Sequence, residues 1–321
     1  MTREPKRTAA AAERVADAPP ENWVDRHAPP AVRPYLRLSR MDRPIGTWLL
    51  LIPCWWGLAL AVAGDPAGPR PFDLWIAVGC AVGAVLMRGA GCVWNDLADR
   101  DFDGRVARTR SRPLPSGQVT PRAAAIWMCA QALVAFGILL TFPPLAIGLG
   151  VASLGLVAVY PFAKRFTWWP QLFLGLAFNW GVLLAFAAHG DALHPAALAL
   201  YLAGVAWTLF YDTIYAHQDR EDDALIGIRS TARLFGARSR AWLSGFQTAA
   251  AALAVLAILM TVPGPIPLGL AISGALAFST HLAWQLRRLD IDDPALCLTL
   301  FRSNRDAGLL LALGLGAAAL L

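Results

Sequence analysis

Residues 73–103 read DLWIAVGCAVGAVLMRGAGCVWNDLADRDFD, and two patterns meet inside them. From Asp73 to Trp94 the chain is apolar or small-residue, interrupted only by Arg88. That run is long enough for a helix to cross a bilayer, which takes about 20 residues. From Asn95 the character changes. Asn95, Asp99 and Asp103 recur at i, i+4 and i+8, so on a helix continuing out of the apolar run they project from one face. Carboxylates stacked in this way destabilise a helix unless a cation lies between them. Oxygen donors of this kind suit a hard divalent ion, and Mg2+ takes one or two carboxylates and completes its shell with water and phosphate oxygens.

Outward from this stretch, apolar runs of similar length recur at 44–64, 73–94, 122–142, 144–161, 168–188, 195–214, 240–262, 265–286 and 304–321. They predict an all-α integral membrane protein with nine transmembrane helices. Composition agrees: 57% of the 321 residues are hydrophobic and 16% charged, against about a quarter charged in soluble domains. Mean hydropathy is +0.48. A soluble enzyme, a disordered chain and a nucleic-acid-binding domain are excluded, and the net charge of +6 belongs to membrane orientation. With the N-terminus in the cytoplasm, all of the 28 Lys and Arg but Arg70 and Arg88 fall on the cytoplasmic side, as the positive-inside bias requires. The far-side connections are short, while the cytoplasmic loops 95–121 and 215–239 are long and charged, so function is expected on that face. Residues 1–35, rich in Ala, Pro, Arg and acids and without an apolar run, read as a disordered cytoplasmic tail. The single transmembrane domain then covers 36–321. No presequence is evident, so a bacterial inner (plasma) membrane is expected rather than a mitochondrial one. The five cysteines show no CxxC spacing and read as small buried hydrophobes.

The second long loop repeats the acid pattern. Asp219 and Asp223 are at i, i+4, and Asp212 precedes Asp219 by seven residues, two turns up the same face. Two matched acid clusters, each following an even-numbered span, point to a duplicated unit with the clusters facing one another across a cavity. Solvated juxtamembrane charge would explain one such run but not a matched pair. Cations that could hold a diphosphate lie nearby: Arg105, Arg108, Arg110 and Arg112, then Lys164-Arg165, then Arg229 and Arg233. Guanidinium grips phosphate in a bidentate way, although about half of these charges are accounted for by orientation and headgroup contact. Arg88 is seven residues before Asn95, inside the membrane, where charge is costly and faces a cavity or snorkels. Arg43 caps the entry of the first span, as a binder of a substrate anion or a topology marker.

A membrane cavity with a Mg2+–diphosphate site and no nucleophile motif implies that diphosphate leaves from a lipid. Cations neutralise the charge developing as the C–O bond breaks, and the apolar bundle keeps water from the allylic cation. Phe102, Tyr211 and Tyr215 could stabilise that cation through their π faces.

At these residues a family resemblance emerges. Asn95, Asp99, Phe102, Asp103, Val106, Arg108, Thr109, Arg112 and Gly117 resemble the signature of the UbiA superfamily of intramembrane prenyltransferases. Further stretches are similar to its 4-hydroxybenzoate polyprenyltransferase branch: Arg43-Pro44-Ile45-Gly46-Thr47, Arg88-Gly89-Ala90-Gly91-Cys92, Arg112 to Gly117, Tyr160 to Arg165, Tyr211 to Ala216 with Asp219, and Ile226 to Thr231. The resemblance covers residues 36 to about 240.

It implies nine transmembrane helices around a central cavity open to lipid. It also implies transfer of a polyprenyl group from polyprenyl diphosphate to the ring carbon ortho to the hydroxyl of 4-hydroxybenzoate, an early membrane step of ubiquinone synthesis. By position, Asn95, Asp99 and Asp103 would bind one Mg2+–diphosphate unit, and Asp219 and Asp223 a second Mg2+. Lys164 and Arg165 would contact diphosphate or the aromatic acid, and Arg43 the benzoate carboxylate. Asp212 would orient the phenol or accept the ring proton. Arg88, Arg108, Arg112, Tyr211 and Tyr215 complete the expected substrate contacts. The competing readings are prenylation of naphthoate, homogentisate, chlorophyllide or haem, and a cation transporter using intramembrane acids. Against the last, no far-side acid cluster completes a pathway.

Overall fold

A computed structural model describes residues 18–19, 21–103, 109–220, 224 and 227–321, with 101–103 described as backbone only. All regular structure among the described residues is helical. Nine helices of 19 residues or more follow one another: α1 (Ile45–Gly64), α2 (Pro71–Asp103), α3 (Pro121–Leu139), α4 (Pro144–Phe166), α5 (Pro170–Gly190), α6 (Pro195–Ala216), α7 (Ser239–Leu259), α8 (Pro265–Arg288) and α9 (Pro294–Ala319). Most begin on a proline, whose fixed φ suits the first helical position and whose missing N–H is not needed there. Eight helical segments are long and apolar enough to cross a membrane. The ninth expected span differs. α9 starts ten residues earlier than its apolar run and carries Arg302, Arg305 and Asp306, so its charge keeps it out of that set. α2 runs past Trp94 to Asp103, which places the first acid ladder on a helix as expected.

Of the expected disordered tail, residues 1–17 and 20 lie outside the described residues. Trp23–His27 and Arg33–Leu38 are short helices. Asn22 caps the first of them, and Arg37 donates to Asp25 at 2.8 Å across a buried pair.

The chain forms two compact units. The first combines Met1–Gly46 with Val85–Phe136. Its core is Leu38, Val93, Leu114, Val119 and Ala124, with Tyr35 and Trp127 packed against them. The second combines Thr47–Ala84 with Gly137–Leu321. There α4 to α9 pack in sequence order, and α9 returns against α6. Close approach needs small residues. A Cβ on Gly274 of α8 would stand 2.7 Å from Gly314 Cα of α9, and one on Gly57 of α1 would stand 2.2 Å from the Val182 carbonyl of α5. Such contacts replace the hydrophobic drive that lipid removes. Outward-facing Ile126, Leu133, Leu276 and Leu313 are more than half exposed, the surface a bilayer would cover. Four of the cysteines are buried and free; Cys129 is exposed.

Candidate functional site

In the first unit α2 presents Arg88, Asn95, Asp96 and Asp99. Asp99 and Asp96 are each 1% exposed. Asp103 lies on the same helix, but its side chain falls outside the described residues, as do Phe102, Arg105 and Arg108. The helical spacing of Asn95 and Asp99 holds, and both offer oxygen, so they fit a hard cation. Among the described residues no group of three His, Cys, Asp or Glu forms a ready metal cage. A Mg2+ that keeps water and substrate oxygens does not require one.

Arg88 lies across Gly46. A Cβ at Gly46 would stand 2.5 Å from Arg88 Nε, so a larger residue there would have to displace the guanidinium. Just before it, Leu38–Arg43 turns back on α2. Arg40 takes φ +58, a left-handed conformation costing an L-residue about 1 kcal/mol. The turn is held because Arg40 Nη1 donates to the Arg37 carbonyl at 3.2 Å and Nη2 donates to both Asp96 oxygens at 2.6 and 2.9 Å. Arg43 faces its neighbour Asp42, with Nε 3.2 Å from Oδ1.

Arg112 opens the turn Arg112-Pro113-Leu114-Pro115-Ser116-Gly117. Its carbonyl accepts from Ser116 N at 3.0 Å and from Ser116 Oγ at 2.7 Å. Gly117 takes φ +75, and Leu114 is pegged into the core. The Arg112 guanidinium stands 3.6 Å from Asp96 Oδ1.

The second unit holds the remaining candidates. Lys164 and Arg165 end α4, where cations favour the helix C-terminus, and Arg165 lies 5.0 Å over the Phe162 ring. Arg229 caps the same end: its Nη1 donates to the Phe166 carbonyl at 2.9 Å. Arg229 and Arg233 both sit over Trp168, at 5.7 and 5.4 Å.

Tyr211 and Asp212 lie near the end of α6. Tyr211 is 1% exposed, and its hydroxyl accepts from Thr208 Oγ1 at 3.1 Å. Thr208 in turn accepts from Asn179 Nδ2 at 2.8 Å. The Tyr215 ring packs at a tilt against Phe301, with centroids 4.5 Å apart. Thr213 shares a 2.7 Å hydrogen bond with Thr231, whose amide donates to Gln171 Oε1 at 3.1 Å. This pins the 227–231 segment to α6 and α5.

The second acid run differs from the expected helix. α6 stops at Ala216, and His217–Asp219 tightens into a 3-10 turn, so Asp212 and Asp219 do not lie on one continuous α-helix. A 3-10 turn has three residues per turn and shifts the register. His217 holds this turn through Nε2 and Ser239 Oγ at 3.0 Å, and Arg220 pairs with Asp292 at 3.0 Å. Asp223 lies outside the described residues. The tertiary partners Arg40, Asn179, Thr208 and Ser239 carried no motif signal; Asp96, Thr213 and Thr231 stood inside quoted motifs.

The profile described as the UbiA prenyltransferase family matches residues 50–317. The mitochondrial 4-hydroxybenzoate polyprenyltransferase of Aedes aegypti is 50% identical over 283 residues, 88% of this chain and 62% of that protein. The chain therefore spans less than two thirds of the mosquito relative. Its Bos taurus counterpart is 48% identical over 90% of this chain and 76% of its own length. Among solved structures, a UbiA homolog from Archaeoglobus fulgidus bound to GPP and Mg2+ aligns with TM-score 0.66 at 20% identity, over 89% of this chain and 99% of that one. The apo UbiA homolog from Aeropyrum pernix K1 aligns with TM-score 0.62 at 24% identity, over 85% and 96%. Both likenesses concern the fold.

Proposed function

The chain belongs to the UbiA prenyltransferase family, and from that premise we propose how it works. It transfers a polyprenyl group from polyprenyl diphosphate to the ring carbon of 4-hydroxybenzoate ortho to the hydroxyl, a Mg2+-dependent step of ubiquinone synthesis. The observation that carries this reading is the extension of α2 beyond its apolar run. It lifts Asn95 and Asp99 one turn apart onto one helix, in the same unit as Arg88 and Arg112.

Asn95, Asp99 and Asp103 would hold one Mg2+, and Asp219 with Asp223 a second. When bound, Mg2+ supplies positive charge to the diphosphate oxygens as the leaving group departs. Arg88, Arg108 and Arg112 would add fixed positive charge to diphosphate oxygens, and Lys164 and Arg165 would contact diphosphate or the aromatic acid. The C–O bond of the donor breaks and its electron pair leaves with diphosphate. The allylic carbon then bonds the ring carbon, and the ring proton is lost to Asp212. Tyr211 and Tyr215 face the cation with their π systems. Arg43 binds the benzoate carboxylate and fixes the acceptor's orientation. The apolar helices exclude the water that would otherwise trap the cation.

The working domain is residues 36–321, an inner-membrane protein with its N-terminus and both charged loops on the cytoplasmic side. The curated relatives are named mitochondrial. The test is a membrane extract supplied with Mg2+, a polyprenyl diphosphate and a panel of aromatic acids, with lipid-soluble products identified by mass. Prenylated 4-hydroxybenzoate is expected. Product from another acid alone, or none, overturns the reading.

A further inference from the structure

Asp96 stands between Asn95 and Asp99, yet its surroundings are those of an anchor. It is 1% exposed. Arg40 Nη2 donates to both of its oxygens at 2.6 and 2.9 Å, and Arg112 Nη1 stands 3.6 Å from Oδ1. Both guanidinium groups are themselves largely buried, at 9% and 12% side-chain exposure. A carboxylate so enclosed by cations is poorly placed to ligate a metal, because a metal would have to displace arginine from it.

The Arg112 side chain is fixed at both ends. Its backbone is pinned by the Ser116 bonds and the Leu114 peg, and its guanidinium is drawn to Asp96. Asp96 and Asp99 are three residues apart on α2 and therefore neighbours on its surface. The arrangement sets a cation within one helical turn of Asp99. A cation held in place before the substrate arrives costs no reorganisation when charge develops. Arg40 completes the device: its left-handed backbone turns the 38–43 segment so that its own side chain closes the far side of the carboxylate.

We propose that Asp96 is a positioning residue for the diphosphate, aiming Arg112 at the phosphate end of the donor and ligating no metal itself. This rests on the prenyl-diphosphate reading above. Asp96→Asn removes the charge that holds Arg112. In the full-length chain the expected result is a KM for the polyprenyl diphosphate raised by roughly tenfold or more, the loss of one charge-assisted contact. The KM for the aromatic acid and the Mg2+ concentration giving half-maximal rate stay within about twofold, the scatter of context for a distant group. Asp96→Asn added to Arg112→Gln has no further effect on the donor KM, because the two act as one.

Asp96→Asn strands Arg40, so a second variant, Asp96→Asn with Arg40→Gly, removes the stranded charge and the left-handed strain together. It should fold and show the same donor defect. Donor binding is also read directly, without any acceptor, by calorimetry with a non-hydrolysable prenyl thiolodiphosphate and Mg2+. If the wild type binds this analogue and the Asp96 variants bind it equally well, the positioning role fails and the functional reading stands. A raised Mg2+ requirement rescued by excess metal makes Asp96 a ligand and overturns the proposal. Absence of analogue binding by the wild type overturns the diphosphate reading itself.

Discussion

α2 begins and ends in acid, and its two ends use acid differently. At the first turn, Asp73 is closed into a network gathered from separate stretches. His189 of α5 places Nδ1 2.7 Å from Asp73 Oδ1 and Nε2 3.0 Å from Asp65 Oδ2. The amide of Arg70 donates to Asp73 Oδ2 at 2.7 Å, and its guanidinium donates to the His189 carbonyl at 2.9 Å and pairs with Asp65. A carboxylate there also suits the helix N-terminus. At the last turns, acid recurs at the helical period. Asp96 is enclosed by arginines, while Asn95 and Asp99 are the ladder positions assigned to a metal. Charge collected from many elements into mutual bonds builds architecture. Charge repeated along one element, at a spacing that helix physics penalises, is where the proposed reading places Mg2+.

The largest effect that would break this contrast is at the ladder. Asp99→Ala should lower the rate of prenyl transfer by at least about a hundredfold, the scale of losing charge stabilisation in a transition state, while thermal unfolding in detergent shows an intact fold. Asp219→Ala should do the same. An active enzyme in either case would make the ladder architectural too. Arg43→Ala is next. The KM for the aromatic acid should rise roughly tenfold, as for a lost charge-assisted hydrogen bond, with a smaller change for the lipid. Equal changes in both would remove the carboxylate contact.

The first-turn network should give the opposite signature. His189→Ala should cost about 1–3 kcal/mol of stability by stranding buried partners, seen as a lower Tm, with the rate per folded molecule retained. Loss of rate without loss of Tm would place chemistry there.

The smallest effect concerns pH. The Ala67 amide, then His189 and Arg70, hold the Asp65 carboxyl below the usual carboxylate range. Its stabilising contribution is therefore full above the unfolded value near 4 and is lost as pH falls through the lowered folded value. The gap in unfolding stability between wild type and Asp65→Asn should be complete at neutral pH and close on acidification below about pH 4. A gap that widens in acid would contradict the assignment.

Much of the fold was legible because membrane helices announce themselves locally. Runs of apolar residues mark α1 to α8, with α2 continuing nine residues past its run, since each helix satisfies its own backbone and needs no partner to be recognised. α9 was read short because Arg302, Arg305 and Asp306 interrupt its hydropathy without interrupting its helix. The helical spacing of Asn95 and Asp99 was legible for the same local reason. The 3-10 turn at His217–Asp219 was not, because it depends on His217 meeting Ser239, and Asp292 meeting Arg220, across 22 and 72 residues of chain.

The sequence by itself determined that this chain is a multi-pass helical membrane protein with oxygen-bearing side chains one turn apart at a helix end, because period and length are properties of consecutive residues. Only the tertiary structure decided which acid meets which partner. Asp96, Asp99 and Asp73 are the same side chain on the same helix. Asp96 and Asp73 are told apart by Arg40, Arg112 and His189, partners brought in by folding from 56, 16 and 116 residues away. A carboxylate's role is set by the charges around it, and those charges are neighbours in space without being neighbours in sequence.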